Sequence, residues 1–327
     1  MPEYKQFVII SHLFKGGFFM SEHLEPLDQL YLINAELMKY GDKFSSPIVT
    51  VGGQAVHYWA VWYQENYASP PPEQYITSND IDVTARKVDI DEICSVLDVP
   101  AEFNDGTPPS LAILPMKNIK DGNVKTYLRK KFVNKQIFDA ENKEVPNVMD
   151  VLSSASYLKP TDFEGEKLKF NTEMFLLPLE GFQYTPHKNI RVLNPIACMA
   201  SRLHNVTTGV KRNVTQEVER IKALMVPVVV FILEKFLTED FRTARKYLGL
   251  FEREIGKSGY RRFIVTHDLD VIKMLNAIIS ELSGMAKFKS EHSDFITLDL
   301  PRVIDRWSVQ IDRKKAQIHR EELSKKK

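Results

Sequence analysis

The sequence predicts an α/β N-terminal half followed by an all-helical C-terminal half. Two patterns carry this expectation. Short β-branched runs alternate with helical patterns through the first part of the chain, and after about residue 190 the strand-like runs give way to successive helical patterns. With 327 residues, 43% hydrophobic and 27% charged, the chain has enough apolar material for one large core or two moderate ones. The expected division is an α/β domain over 1–190 and a helical domain over 191–327.

The elements follow in order. Leu27, Leu30, Leu32, Ile33 and Leu37 recur at helical spacing and predict an amphipathic helix. Pro47-Ile48-Val49-Thr50-Val51 reads as a short strand closed by Gly52-Gly53. Residues 54–67 read as an aromatic-rich helix, and Ser69-Pro70-Pro71-Pro72 as a loop, because consecutive prolines lack the N–H that regular structure needs. Ile81-Asp82-Val83-Thr84 predicts a second strand, and 89–99 a short helix with Ile90, Ile93, Val96 and Leu97 as its apolar side. Further strands are expected over 110–114, 132–138 and 147–152. Pro195 then opens a helix reaching Leu203, at a first-turn position where its missing N–H costs nothing. Helices are expected over 214–224, 228–236, 239–255, 269–282 and 301–323, with Pro227 between the first two.

Composition excludes several classes. A net charge of +1, from 44 basic and 43 acidic residues, is not that of a whole-chain polyanion binder, although it leaves room for a local basic surface. Two cysteines, Cys94 and Cys198, without a Cys-x-x-Cys spacing, do not make a disulfide scaffold and point to a reducing compartment. No apolar run approaches the roughly 20 residues of a membrane helix. The expectation is a cytoplasmic protein with no membrane partner, starting at Met1 or Met20.

The chemistry-bearing stretch runs from Val49 to Thr84. Gly52-Gly53 ends a β-branched strand and opens a helix; glycine permits a sharp turn and close approach of a ligand, and a helix N-terminus favours phosphate. Asp80 and Asp82 stand two apart in a strand-like run, which would put both carboxylates on one face. Carboxylates held side by side repel unless a cation joins them, and hard oxygen ligands suit Mg²⁺. Thr77 and Ser78 offer hydroxyls just upstream. Asp150 lies inside the otherwise apolar run Asn147-Val148-Met149-Asp150-Val151-Leu152, where a charge calls for a partner; a metal shared with Asp80 and Asp82 would supply one. Asp139 is the alternative third acid. Three carboxylates around two Mg²⁺ suit in-line phosphoryl or nucleotidyl transfer.

Strand, Gly-Gly, helix, then Ser78-Asn79-Asp80-Ile81-Asp82, then a lone Asp on a later strand, resembles the nucleotidyltransferase superfamily. Within it, the sequence is similar to the branch of minimal nucleotidyltransferases and AbiEii-type toxins. The resemblance implies a DNA-polymerase-β-like palm, a mixed sheet with flanking helices. It assigns the NTP phosphates to Gly52, Gly53 and Ser78, two Mg²⁺ to Asp80 and Asp82, and activation of the acceptor hydroxyl to Asp150. It extends to the helix from Pro195, where Arg202 takes the place of a basic residue facing the nucleotide, and to Lys211-Arg212-Asn213, where Lys211 would contact the nucleotide. Asn213 stands where the family has an acid, and no Arg precedes the aspartate motif, which follows Gln74-Tyr75-Ile76. The match covers roughly 45–225.

The implied activity is Mg²⁺-dependent transfer of an NMP from an NTP to an RNA, protein or small-molecule hydroxyl, in a toxin–antitoxin or phage-defence setting with an antitoxin partner. The alternative is an inactive nucleotide-binding or assembly module that keeps the fold. Three other features have plainer readings. His267-Asp268-Leu269-Asp270 is a helix start, with Asp268 near the cap. Tyr58, Trp59 and Trp62 form a core stripe. The segment 301–327, with nine Lys/Arg against four Asp/Glu, is a solvated basic helix end able to meet RNA phosphates or an acidic partner.

Overall fold

The computed structural model describes residues 22–103, 109–127, 129–134, 145–177, 185–210 and 213–325. It divides into two compact units. The first joins the residues up to Trp62 with Thr77–Asn194, and the second joins Tyr63–Ile76 with Pro195–Lys327.

The first unit is a mixed sheet with flanking helices. Among the described residues, seven strands form one sheet in the order β3-β4-β7-β2-β1-β9-β8. These are β1 Ile48–Thr50, β2 Ile81–Thr84, β3 Glu102–Phe103, β4 Ser110–Pro115, β7 Val148–Leu152, β8 Thr172–Met174 and β9 Ile190–Leu193, while β5 Thr126–Tyr127 and β6 Lys130–Lys131 form a separate ribbon. β2 runs parallel to β7 and β1 parallel to β9; the β1–β2, β4–β7 and β8–β9 pairs are antiparallel. Ile81, Val83, Met149 and Val151 are fully buried on one face of the central pair, while Asp82 and Asp150 share the other, half-buried face. This is the period-2 alternation of a sheet with one deeply packed side.

Helices α1 Pro26–Lys39, α2 Gly52–Trp62, α4 Ile90–Leu97 and α5 Gly165–Asn171 belong to this unit. Buried Asp89 ties the turn before β1 to the start of α4. It accepts from the Ser45 backbone N–H at 2.6 Å, from Ser45 Oγ at 3.0 Å and from Ser46 Oγ at 2.6 Å. The aromatic stripe of α2 is core. Tyr58 and Trp59 are buried, Trp59 Nε1 donates to the Leu193 carbonyl at 2.6 Å, and Tyr58 packs on Phe175 with ring centroids 4.7 Å apart.

Helix α2 ends at Trp62, short of the expected 67; Gln64–Asn66 form a 3-10 turn and Tyr67 is extended. Of the strand expected over 132–138, residues 135–138 lie outside the described residues; within them, Val133 makes an isolated bridge to Pro146. Asp139 also lies outside them.

The second unit is helical: α3 Glu73–Ile76, α6 Pro195–Thr207, α7 Val214–Thr238, α8 Phe241–Ile255, α9 Arg261–Thr266, α10 Val271–Gly284, α11 Ala286–Glu291 and α12 Leu300–Lys325. The two helices expected on either side of Pro227 are one helix, α7, with Pro227 inside it. Proline removes the N–H that would serve the carbonyl four residues back. That carbonyl belongs to Ala223, and the Tyr67 hydroxyl donates to it. The helix continues because its orphaned acceptor is satisfied from another segment of the unit.

Asp270, not Asp268, caps α10, its side chain accepting from the Lys273 N–H at 2.8 Å; Asp268 has φ 51°. Among the described residues, no helix is long and apolar enough to cross a membrane.

Candidate functional site

The centre of the first unit brings Gly52, Asp82 and Asp150 together. β1 and β2 pair with Thr50 opposite Val83, and the Val51 N–H donates to the Asp82 carbonyl at 2.9 Å. The chain then turns at Gly52, with φ +68°, and enters α2. A Cβ on Gly52 would lie 1.9 Å from Asp82 Oδ2 and 2.7 Å from its Cγ. Glycine is therefore required twice, for the left-handed backbone and for the carboxylate that occupies the space of a side chain. Gly53 is buried in the first turn of α2.

Asp150 is the register partner of Asp82 on parallel β7. Register partners on neighbouring strands, about 4.8 Å apart, project to the same side of the sheet. Ser110 Oγ, on β4, donates to Asp150 Oδ1 at 2.6 Å and orients that carboxylate. Asp80 is exposed on the bend before β2, which begins at Ile81, so Asp82 is the acid within the strand. Ser78 leads into that bend, its Oγ 3.5 Å from the Asp80 carbonyl.

Two residues of this neighbourhood carry little in the sequence to set them apart. Gln54, fully buried in the first turn of α2, donates from Nε2 to the Ser78 carbonyl and, at 3.3 Å, to the Pro26 carbonyl. It thereby fixes the segment leading to Asp80 against the Gly-Gly turn. Its Oε1 is buried with no partner among the described residues. Ser110 lies inside an expected strand, and nothing local distinguishes its hydroxyl from that of any edge serine. A glutamine directly after Gly-Gly was the one available hint.

Arg202 belongs to the second unit and is buried there. Its Nη1 lies 3.3 and 3.4 Å from the two carboxylate oxygens of buried Glu217 on α7. Arg220 Nη1 meets the same carboxylate at 3.0 Å, and Arg220 Nε donates to the Tyr75 carbonyl at 3.1 Å. One carboxylate thus lies between two guanidiniums, and Arg202 Nε has no partner among the described residues. Lys211 lies outside the described residues. Asn213 caps α7, its Oδ1 accepting from the Gln216 N–H at 3.1 Å; this accounts for an asparagine there. Burial pushes the Cys94 thiol up to about 11 and the Cys198 thiol up to about 12, so neither suits nucleophilic chemistry near neutrality.

Among the described residues, no three His, Cys, Asp or Glu side chains gather closely enough to hold a metal ion by themselves. The donor set nonetheless fits Mg²⁺ with a phosphorylated ligand, because Mg²⁺ is ordinarily held by one or two carboxylates plus substrate phosphates rather than by an all-protein cage. Asp82 and Asp150 are two hard carboxylates on one half-buried sheet face, and the Asp82 carboxylate lies against the Gly52 turn, in the space a Cβ would fill. Chemically, the arrangement combines paired acids with the N-terminus of an eleven-residue helix. No protein-family model, curated protein or solved structure matches the chain.

Proposed function

We propose that the chain is a Mg²⁺-dependent nucleotidyltransferase, moving an NMP from an NTP to an acceptor hydroxyl. The observation that carries this reading is the contact of the Gly52 turn with Asp82, whose register partner is Asp150. In this reading, Asp82 and Asp150 hold the cation, with Asp80 at the rim. In the same reading, the N–H groups of the first turn of α2, at Gly52 and Gly53, meet the NTP phosphates. A bound Mg²⁺ supplies the positive charge that offsets the phosphates and the developing pyrophosphate. Ser78, held by Gln54, orients the approach to Asp80. Asp150, oriented by Ser110, accepts the proton of the attacking hydroxyl. The acceptor oxygen bonds to the α-phosphorus and pyrophosphate leaves.

The test is transfer of α-³²P from each of four NTPs, with Mg²⁺, onto total RNA and total protein. Asp82→Asn/Asp150→Asn serves as the control. Label entering one pool and lost in the double variant supports the reading and names the acceptor class. Absence of label from both pools and of pyrophosphate release, with Mg²⁺·NTP still bound, favours the nucleotide-binding module instead.

A further inference from the structure

Helix α12 runs 26 residues from Leu300 to Lys325 and buries only Leu300 and Trp307 among them. At 100° per residue, Arg302, Arg306, Arg313 and Arg320 fall within an arc of roughly 40°. All four are exposed. They span about 27 Å of helix, taking 1.5 Å per residue. The residues interleaved with them along this stripe are Val309, Ala316 and Gln317, with Ser324 beyond Arg320. The nearest acids are Asp305 and Glu321, each roughly 60° off the stripe on opposite sides, and Asp312 at roughly 80°; Glu321 is itself paired with Arg262. Arg306, itself exposed, pairs with half-buried Glu252. Among the described residues, Arg302, Arg313 and Arg320 form no salt bridge.

We propose that this stripe is a docking ridge for an A-form RNA stem, gripping its phosphates. Four arginines and no lysine in one line suit the bidentate recognition of phosphate. An acidic partner helix fits less well, because Val309 and Ala316 offer too little apolar surface to anchor it. A single strand fits less well too: the stripe presents no aromatic ring for base stacking, and Trp307 is buried. An A-form stem is bound through phosphates and 2′-hydroxyls along its surface, with no need for a helix to enter the groove. The ridge stands independently of the nucleotidyl-transfer reading, since its residues belong to the helical unit.

The probe is a fluorescent 20-base-pair RNA hairpin stem, titrated with the full chain across a KCl series and read by anisotropy. Four phosphate contacts predict a slope of log affinity against log salt of about −3 to −4. Arg313→Gln/Arg320→Gln makes the slope shallower by about 2 and weakens binding roughly 60-fold at 0.1 M salt, the two proteins converging near 1 M. Arg302→Gln/Arg306→Gln gives the same loss on independent positions. Lys287→Gln/Lys289→Gln, an equal charge loss on exposed α11 residues, leaves slope and affinity unchanged. Asp82→Asn/Asp150→Asn also leaves them unchanged, so failure of the catalytic reading does not touch this one. The proposal is overturned by wild-type protein that does not bind the stem, by arginine variants that bind as wild type does, by an equal loss in the α11 variant, or by equal affinity for a DNA duplex of the same sequence.

Discussion

Replacing Gly52 with alanine is the sharpest perturbation of the candidate site. The new Cβ would sit 1.9 Å from Asp82 Oδ2, about 1.5 Å short of van der Waals contact. The carboxylate must swing away or the turn must shift. A non-glycine residue at φ +68° adds roughly 1–2 kcal/mol of backbone strain. Overpacking of a tight site adds a further ~1–3 kcal/mol. The expected loss of stability is therefore about 2–5 kcal/mol, with Mg²⁺·NTP binding lost because Asp82 no longer faces the space beside Asp150. The contact itself is isolated by a double-mutant cycle in urea, followed by circular dichroism. Asp82→Ala removes the two nearest clashing atoms, Oδ2 and Cγ, so it costs less in the Gly52→Ala background than in wild type, with a coupling of about 1–2 kcal/mol. Additive losses, or a Gly52→Ala protein within about 0.5 kcal/mol of wild type, would refute the reasoning.

Two further outcomes are expected from the helical unit. Tyr67→Phe leaves the Ala223 carbonyl without its donor and costs about 1–2 kcal/mol in urea unfolding; in a Pro227→Ala background the helix supplies its own N–H and the same change costs under about 0.5 kcal/mol, whereas an equal loss in both backgrounds contradicts the account. Glu217→Gln strands two buried guanidiniums, Arg202 and Arg220, and destabilises by about 3–5 kcal/mol by chemical denaturation; a loss below about 1 kcal/mol would show that the ion group contributes little.

How much was legible depends on the range of each interaction. Gly52-Gly53 as a turn and Ile81-Asp82-Val83-Thr84 as a strand follow from local chemistry, glycine conformational freedom and β-branching, and both are present. The α/β first half and the helical second half were readable from alternating periodicities, whereas the mixed character of the sheet was implied only by the resemblance. The pairing of Asp82 with Asp150 across two strands is a matter of register, and no spacing in one chain states register. Strand β9, Ile190–Leu193, is four residues long and ends beside Asn194-Pro195, so it gave no period to recognise.

Pro227 misled for a definite reason. Its local effect is to break a helix, and the compensating hydroxyl of Tyr67 lies 156 residues away from Ala223 in sequence. The grouping of Tyr63–Ile76 with the helical unit rests on similar long-range contacts, such as Tyr63 Oη donating to Glu234 at 2.6 Å. The buried charges of Arg202 and Glu217 look in the sequence like ordinary polar helix positions. Only packing shows them to be interior.

The central claim is that Asp82 and Asp150 together hold a divalent cation with a nucleoside triphosphate. Mn²⁺ is a visible substitute for Mg²⁺, and its electron paramagnetic resonance signal reports the bound fraction directly. In the presence of ATP, the account predicts Mn²⁺ binding to wild type that falls at least tenfold in Asp82→Asn and again in Asp150→Asn, each variant retaining its fold by circular dichroism. Mn²⁺·ATP bound equally well by wild type and both variants would contradict it.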